Sequence, residues 1–556
     1  MAAEHTLDVN ARRAQLFPRL SDAQVARLAR VGTRRVVAAG TTVFEQGDGG
    51  VPVYVVLEGE LAILYPAAAG EIEITVHQTG GFTGEANILM RRGSLVRARM
   101  RTAGTLLAID PEALRGVLQT DAELSEILMR AFILRRRGLV EENRGDVVLV
   151  GSRHSAGTLR LQEFLTRNLH PHEYLDVDRD PSVQALLDQF HVRVDEVPIT
   201  VCHGEHVLRN PTNEQLARCL GFNAVRDEAT LHDLVVVGAG PAGLAAAVYG
   251  ASEGLDVVVL EATAPGGQAG ASSKIENYLG FPTGISGQKL AASAFAQAEK
   301  FGAVVEIPRV VSRLRCDRGA KAVELAGGGG VRARAVVIAS GVQYRKLPLA
   351  DLARFEGTGV YYGATYVEGQ RCEGDDVIVV GGANSAGQAA VFLAGFVRQV
   401  VMLVRGAGLA ATMSRYLLRR IEETPNITVL THTELEALAG GDRLERVRWR
   451  TRGHEAEEHA IQHVFMMTGA SPNTDWLRGC VALDGKGFVL TGLDLGRDEL
   501  AAAAWPLGRP PLLLETTVPG VFAVGDVRAN SVKRVASAVG EGSICVQLVH
   551  QVLAAL

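Results

Sequence analysis

The sequence predicts a multidomain chain: an N-terminal β-roll, a small α/β domain, and a larger C-terminal α/β part built around two strand–turn–helix units. Three observations predict it. At 556 residues the chain is too long for one hydrophobic core. Its first stretch is a series of short apolar runs cut by glycines, the pattern of short paired strands. Its second half holds two apolar runs that each end in a glycine cluster and lead into a small-residue helical pattern.

Composition bounds the function. With 47% hydrophobic and 21% charged residues and 62 glycines, the chain is globular and glycine-rich in the way of α/β enzymes that bind dinucleotides. A net charge of −5 argues against nucleic acid as the main partner. The run Arg135-Arg136-Arg137 reads as a solvated helix face. No apolar run is long enough to span a bilayer, and residues 1–15 lack the apolar segment of a secretion signal. The expectation is a cytoplasmic protein without a membrane partner. The six cysteines form no C-x-x-C pair and show no metal spacing, so they are expected to be reduced and mostly buried, with no metal site.

The β-roll is expected over residues 1–140. A helix starts at Ser21 and Asp22, both capping types. Strands follow at 36–37, 42–44, 53–57, 61–64, 72–76 and 106–109, and residues 111–137 have helical periodicity. A second domain is expected over 145–225, as strand 146–150, helix 158–169, strand 174–177, helix 183–190 and a last strand pair from Pro198.

The first glycine turn follows the apolar run 234–237 and reads Gly238-Ala239-Gly240-Pro241-Ala242-Gly243. In such a turn the first glycine permits the bend, the second lets the backbone approach a pyrophosphate, and the third lets helix and strand pack closely. The phosphates sit on the N–H groups of the helix N-terminus. The next strand, 257–260, ends at Glu261, where a ribose-binding carboxylate belongs. The second turn follows the run 377–380 as Gly381-Gly382-Ala383-Asn384-Ser385-Ala386. Alanine replaces glycine at 383, and its Cβ crowds a pyrophosphate. The strand after it, 400–404, ends at Arg405 rather than an acid, which favours NADPH over NADH because arginine pairs with a 2′-phosphate.

These motifs carry a resemblance. From about Leu231 to the end, the chain resembles bacterial thioredoxin reductase of the low-molecular-weight type. Gly266-Gly267-Gln268 with Ile275-Glu276-Asn277-Tyr278 is similar to that family's second FAD segment, and Ile338-Ala339-Ser340-Gly341 to the element beside its flavin. The stretch 519–526, ending in Gly525-Asp526, resembles its last FAD motif, and Lys533-Arg534-Val535-Ala536 the stretch beside the isoalloxazine. The resemblance implies a homodimeric flavoprotein with an FAD-binding domain over 231–348 and 478–556 and an NADPH-binding domain over 349–477. It implies that FAD is held by Gly238, Gly240, Pro241, Ala242, Gly243, Glu261, Gly267, Gln268, Asn277, Ala339, Gly341, Gly525, Asp526, Arg534, Val535 and Ala536. NADPH falls to Gly381, Gly382, Asn384, Ser385, Ala386 and Arg405.

One departure governs the chemistry. Where the family carries a redox-active C-x-x-C, this chain has Gly363 and Tyr366, and the nearest thiol, Cys372, stands alone. Hydride transfer from NADPH to FAD needs only stacking and orientation, so it is retained. A dithiol relay is not. No side chain is assigned as catalytic, since the flavin carries the chemistry. The acceptor, a small redox protein among the candidates, is not identified by sequence. Two other readings stay open: a disulfide reductase drawing thiols from a partner or from Cys372, and a slow-turnover sensor responsive to flavin and cyclic nucleotide.

The N-terminal region resembles a cyclic-nucleotide-binding domain through residues 43–48, 53–61 and 82–89. The resemblance makes Gly84, Glu85 and Arg97 candidate cyclic-nucleotide contacts, although the family's phosphate-binding arginine falls in register at Ser94. The middle domain resembles glutaredoxin and thioredoxin-like modules, with Val197-Pro198 at the cis-proline turn. Its redox position, Arg153 to Thr158, holds no cysteine, and His154 reads as a surface loop residue. Docking or regulation is the role expected of these two modules.

Overall fold

The computed structural model describes residues 15–67, 70–84, 93–141, 147–179, 193, 196–202, 206–223, 228–272, 274–316, 320–441 and 443–555, with side chains omitted for 136–141. The chain divides into two compact units. One comprises Met1–Gly151, Phe164–Asp227 and Ala296–Pro308; the other Ser152–Glu163, Glu228–Phe295 and Arg309–Leu556.

In the first unit the helix Asp22–Leu28 begins as expected, its Ser21 and Gln24 closing a reciprocal capping box. Two antiparallel sheets follow. Thr33–Val37, Gly104–Ile109 and Val53–Glu58 form one, and Thr42–Phe44, Arg97–Met100, Leu61–Ala67 and Gly70–His77 the other. The strand Arg97–Met100 is hidden in the sequence because its alternate residues are arginines, which point to the exposed face while Ala98 and Met100 fill the core. The expected helix 111–137 is two helices, Pro111–Thr120 and Ala122–Glu141, broken at Asp121, whose backbone is extended. Arg135 corrects the expectation of a solvated basic face. Its side chain is buried, donates to the carbonyls of Leu16, Phe82 and Gly84, and lies over the Phe17 and Phe82 rings. Charge alone did not reveal this, since a guanidinium can stack on aromatics while its N–H groups satisfy carbonyls.

The rest of this unit holds a four-stranded sheet in the order His206–Arg209, Ile199–Cys202, Val147–Gly151, His172–Asp176, with the last two parallel and the others antiparallel. The Val197–Pro198 peptide is cis. The helix expected at 183–190 lies outside the described residues.

The second unit carries a mixed sheet and an all-parallel one; in the mixed sheet Lys321–Leu325 pairs antiparallel with both of its neighbours. In the first, strands run in the order Val257–Leu260, Leu231–Val237, Gly330–Ile338, Lys321–Leu325, Val311–Arg315, and Val521–Ala523 lies parallel beside Gly330–Ile338. The second is all parallel: Val360–Tyr361, His463–Met466, Asp376–Val380, Gln399–Val404, Ile427–Thr431. Its central strands are apolar on both faces, as parallel strands covered on both sides require. The chain passes to this sheet through Val342–Tyr344 and returns through Ala470–Pro472, and these two short strands pair antiparallel. Among the described residues no helix is long and apolar enough to cross a membrane.

The cysteines bring a second correction. Cys316 and Cys480 are joined by a disulfide, while Cys372 and Cys545 are buried free thiols; Cys202 is buried and Cys219 half-buried. The two partners are 164 residues apart in sequence, and only the fold makes them neighbours.

Candidate active site: two glycine turns on parallel sheets

The first site assembles on the carboxyl edge of the first sheet, where the crevice of an open parallel sheet lies. Gly238 follows the strand Leu231–Val237, has φ +104°, and donates its N–H to Leu260. A Cβ there would lie 2.4 Å from the Ala339 carbonyl oxygen, so only glycine fits. Gly240 caps the helix Pro241–Ser252, with Pro241 in its first turn and Ala242 buried beneath. Among the described residues the only atom near a Cβ on Gly240 is the Gly267 Cα at 4.0 Å, which leaves that face open for a ligand. Gly243 is the tightest point, where a Cβ would meet the Gly238 oxygen at 1.9 Å.

Glu261 follows Val257–Leu260 and accepts three backbone N–H bonds, from Ala239 at 2.8 Å, Thr263 at 2.8 Å and Ala264 at 3.1 Å. The amides fix the carboxylate beside the glycine turn, and its remaining lone pairs suit a ribose hydroxyl. Gly267, with φ +54°, opens the short helix Gly267–Gly270, and Gln268 in it donates to the Val342 carbonyl at 2.7 Å. Asn277 is exposed in the loop after it. Ala339 and Gly341 flank Ser340 at the end of Gly330–Ile338, where Ser340 and Asn473 bond reciprocally at 2.8 and 2.9 Å.

The last part of this edge is the turn after Val521–Ala523. Gly525 has φ +74° and donates to Glu541 at 2.7 Å. Burial pushes the Asp526 carboxyl above its ordinary range, against the pull of the Lys533 ammonium. Lys533 in turn donates to the Asp526 carbonyl at 2.6 Å. Arg534 is the exposed cap of the 19-residue helix Val535–Leu553, so the amides of Val535 and Ala536 stand in its first turn, where a helix favours anionic or carbonyl oxygens. Sequence reasoning missed Glu541 and Arg528, and it quoted Lys533 only as the start of the stretch beside the flavin, without a role for its side chain. Arg528 and Glu541 pair at 2.7 Å with both side chains more than four-fifths buried, and no motif spacing marks them.

The second site repeats the arrangement on the second sheet. Gly381 has φ +144°, and a Cβ would meet the Met467 oxygen at 2.4 Å. Gly382 follows, and its carbonyl accepts the Thr412 hydroxyl at 2.6 Å. Ala383 caps the helix Asn384–Leu393 in an extended conformation that alanine adopts without strain. Asn384 accepts the Ser414 N–H at 2.8 Å, Ser385 stands near the Tyr344 phenol, which burial pushes above its ordinary range, and Ala386 is fully buried. Arg405 stands exposed just beyond Gln399–Val404. Tyr344, on the incoming connector strand, was not singled out by the sequence.

Gly363 lies in a stretch where a Cβ would meet nothing within 4 Å. Tyr366 opens the helix Tyr366–Arg371, is 61% exposed, and packs edge-on against Phe396. Cys372 is fully buried, and burial pushes its thiol far above the ordinary range, which removes the nucleophilic thiolate.

A family described as pyridine nucleotide-disulphide oxidoreductase matches residues 232–542, more than half of the chain. The chain belongs to that family. Its members of the thioredoxin reductase-like kind use FAD and NAD(P)H, and this chain is accordingly a nicotinamide-nucleotide-dependent flavoprotein oxidoreductase. Among its relatives, an alkyl hydroperoxide reductase protein of Pseudomonas putida is 32% identical over 56% of this chain and 56% of that protein. The chain thus spans little more than half the length of that relative. Thioredoxin reductase of Mycoplasmopsis pulmonis is 30% identical over 56% of this chain and 95% of its own length. The crystal structure of Lactococcus lactis thioredoxin reductase superposes with a TM-score of 0.52 at 25% identity, covering 58% of this chain and all of that one. The family's two-nucleotide fold fits the two turns: both glycine corners are sterically obligatory, and the one backbone left open in the first turn is Gly240.

A cyclic nucleotide-binding domain matches residues 34–121. Of its candidate contacts, Gly84 has φ +113° and Glu85 lies outside the described residues. Arg97 bonds Glu45 at 2.5 Å and pairs with Glu71, which Arg99 also holds at 2.8 Å. Ser94 donates its N–H to the Asp48 carbonyl at 2.9 Å. A phosphate at Arg97 therefore competes with two carboxylates. Among the described residues no group of His, Cys, Asp and Glu is arranged to hold a metal.

Proposed function

We propose that the protein is an NADPH:acceptor oxidoreductase in which hydride passes from NADPH to FAD and the electrons leave without a dithiol in the NADPH-binding part. The observation that carries this reading is the pair Gly363 and Tyr366 at the family's cysteine positions, with the nearest thiol, Cys372, buried. When bound, the flavin supplies hydride acceptance and electron release to a second substrate. The residues of the chain bind and orient. Glu261, the Gly238–Gly243 turn and Asp526 hold the dinucleotide ends of FAD, and Gln268 ties its segment to the connector strand beside Gly341. The turn from Gly381 to Ala386 takes the NADPH pyrophosphate, and Arg405 the 2′-phosphate.

The acceptor in this reading is a small redox protein, a class named in the relatives called thioredoxin reductase. The cyclic-nucleotide-binding domain and the thioredoxin-like sheet, which lacks a C-x-x-C pair, regulate the enzyme or dock that acceptor, and the enzyme works as a cytoplasmic homodimer. The test is anaerobic titration of the FAD-loaded protein with NADPH. Bleaching of the flavin band within seconds, unchanged in Cys372→Ser, is expected. Absence of bleaching would favour a sensor, and bleaching with turnover lost in Cys372→Ser would restore a thiol route.

A further inference from the structure

Cys316 and Cys480 are half-buried, and both pack on the core behind the first, mixed sheet of the second unit, with Leu314, Leu477 and Val481. Their Cα atoms are 5.9 Å apart, within the range a disulfide bridges without moving the backbone. The pairing is fixed by structure on both sides. Cys316 directly follows the strand Val311–Arg315, and Cys480 donates its N–H to Leu477 at the end of the turn Asp475–Leu477. Between them in sequence lies the whole excursion to the second sheet and back. The link nevertheless does not span the paired connectors Val342–Tyr344 and Ala470–Pro472, because both cysteines sit on the first sheet's side of them.

What the link holds is the returning segment, 473–489. One end of it, Asn473, bonds Ser340 beside Gly341. The other, Val489, donates to the Val527 carbonyl at 3.0 Å and accepts the Ala529 N–H at 2.9 Å, beside Asp526. The segment therefore joins two loops of the first glycine-turn site, and Cys480 anchors its middle to the sheet.

We propose that Cys316 and Cys480 form a reversible thiol–disulfide site, oxidised by a hydroperoxide and reopened by small thiols, that sets how firmly the first site retains its flavin. The retention half of this rests on the FAD assignment above; the covalent half does not. In the forward step one thiolate attacks the peroxide O–O bond, and the alcohol, or water for hydrogen peroxide, leaves. The other thiol attacks the resulting sulfenic sulfur, and the hydroxyl departs with a proton as water. Two electrons pass from the two sulfurs to one peroxide. In the reverse step two molecules of a monothiol, or one dithiol, exchange onto the pair and leave as their own disulfide. Partial exposure makes the pair accessible to both reagents, whereas Cys372 and Cys545 are sealed in the core with their thiols pushed up by burial.

The test uses the full-length, FAD-loaded protein. Samples are treated with one equivalent of hydrogen peroxide or with excess dithiothreitol, alkylated in denaturant, and mapped by peptide mass spectrometry. A Cys316–Cys480 linked peptide after peroxide, and both cysteines alkylated after dithiothreitol, are expected. FAD release, followed by flavin fluorescence on dilution, should be about 3- to 10-fold faster in the reduced protein, and the melting temperature lower by about 5–10 °C. Cys316→Ser and Cys480→Ser should resemble the reduced protein under both treatments; if they do not fold, the wild-type pair of samples decides. Two separately alkylated cysteines after peroxide would overturn the site. A link that folded protein keeps in dithiothreitol would overturn its reversibility. Equal FAD release from linked and reduced protein would overturn its effect on retention, and a protein that binds no FAD would sink the flavin assignment while leaving the peptide map to judge the link.

Discussion

The two glycine turns are built to one plan and differ in how tightly they close. In the first, the position inside the helix is Gly243, where a methyl would collide with the Gly238 carbonyl at 1.9 Å. In the second, the same position is Ala386, fully buried with its methyl already accommodated. At the helix cap the contrast reverses its meaning. Gly240 and Ala383 have similar extended backbones, with φ −69° and −104°, so neither position demands glycine for the chain itself. Glycine at 240 leaves room for something outside the protein; alanine at 383 gives part of that room away. The edges differ too: Glu261 is clamped by three amides, while Arg405 is exposed. A closed turn with a fixed acid suits a resident cofactor, and a looser turn with an exposed cation suits a nucleotide that comes and goes.

The sharpest way to break this comparison is to move a methyl from one turn to the other. Gly243→Ala forces a Cβ into a backbone carbonyl that cannot step aside, and is expected to cost about 3 kcal/mol or more and to abolish FAD uptake. The reciprocal Ala386→Gly removes a tolerated methyl from a helix and should cost about 1 kcal/mol with FAD retained. Flavin absorbance after reconstitution and thermal melts read both. FAD bound normally by Gly243→Ala would mean the first turn is not closed in the way its geometry describes.

Much of this contrast was legible before the fold. Both turns announce themselves because glycine spacing, a preceding apolar run and a following helical pattern are local signals, and strand-end residues such as Glu261 and Arg405 follow from counting along the chain. The supports were not legible. Glu541 reaches Gly525 from a helix turn that carries no motif, Tyr344 reaches Ser385 from a connector strand, and Asn473 meets Ser340 across 133 residues. Such contacts are set by sheet order, which a single sequence does not encode in any spacing. The same holds for Cys316 and Cys480. Arg135 failed for a different reason: a charged triplet was read by composition, but its first member sits on the inward face of its helix, where carbonyls and aromatic rings offset the loss of water.

The edge residues give the next test. Arg405→Ala removes the charge-assisted partner of a 2′-phosphate, so the Kd for NADPH should rise roughly 10- to 100-fold. NADH lacks that phosphate, and its Kd should move by less than about twofold. Equal losses for both nucleotides, measured by stopped-flow flavin bleaching over a concentration series, would show that Arg405 supports the strand end rather than the phosphate.

The smallest effect lies at the two caps, and it asks whether the missing room at 383 matters. Ala383→Gly leaves the backbone conformation available and withdraws one methyl from beside the pyrophosphate position, so NADPH should bind about threefold tighter or less, partly offset by the extra freedom of glycine. Gly240→Ala adds the same methyl where only the Gly267 Cα is near, at 4.0 Å. The protein should fold and melt as before while FAD dissociates faster, because the added atom meets the ligand and not the chain. If Gly240→Ala instead lowered the melting temperature of the flavin-free protein, the open face at Gly240 would be serving the fold, and the distinction between a turn closed around a resident cofactor and one left loose for a visiting nucleotide would have to rest on Gly243 alone.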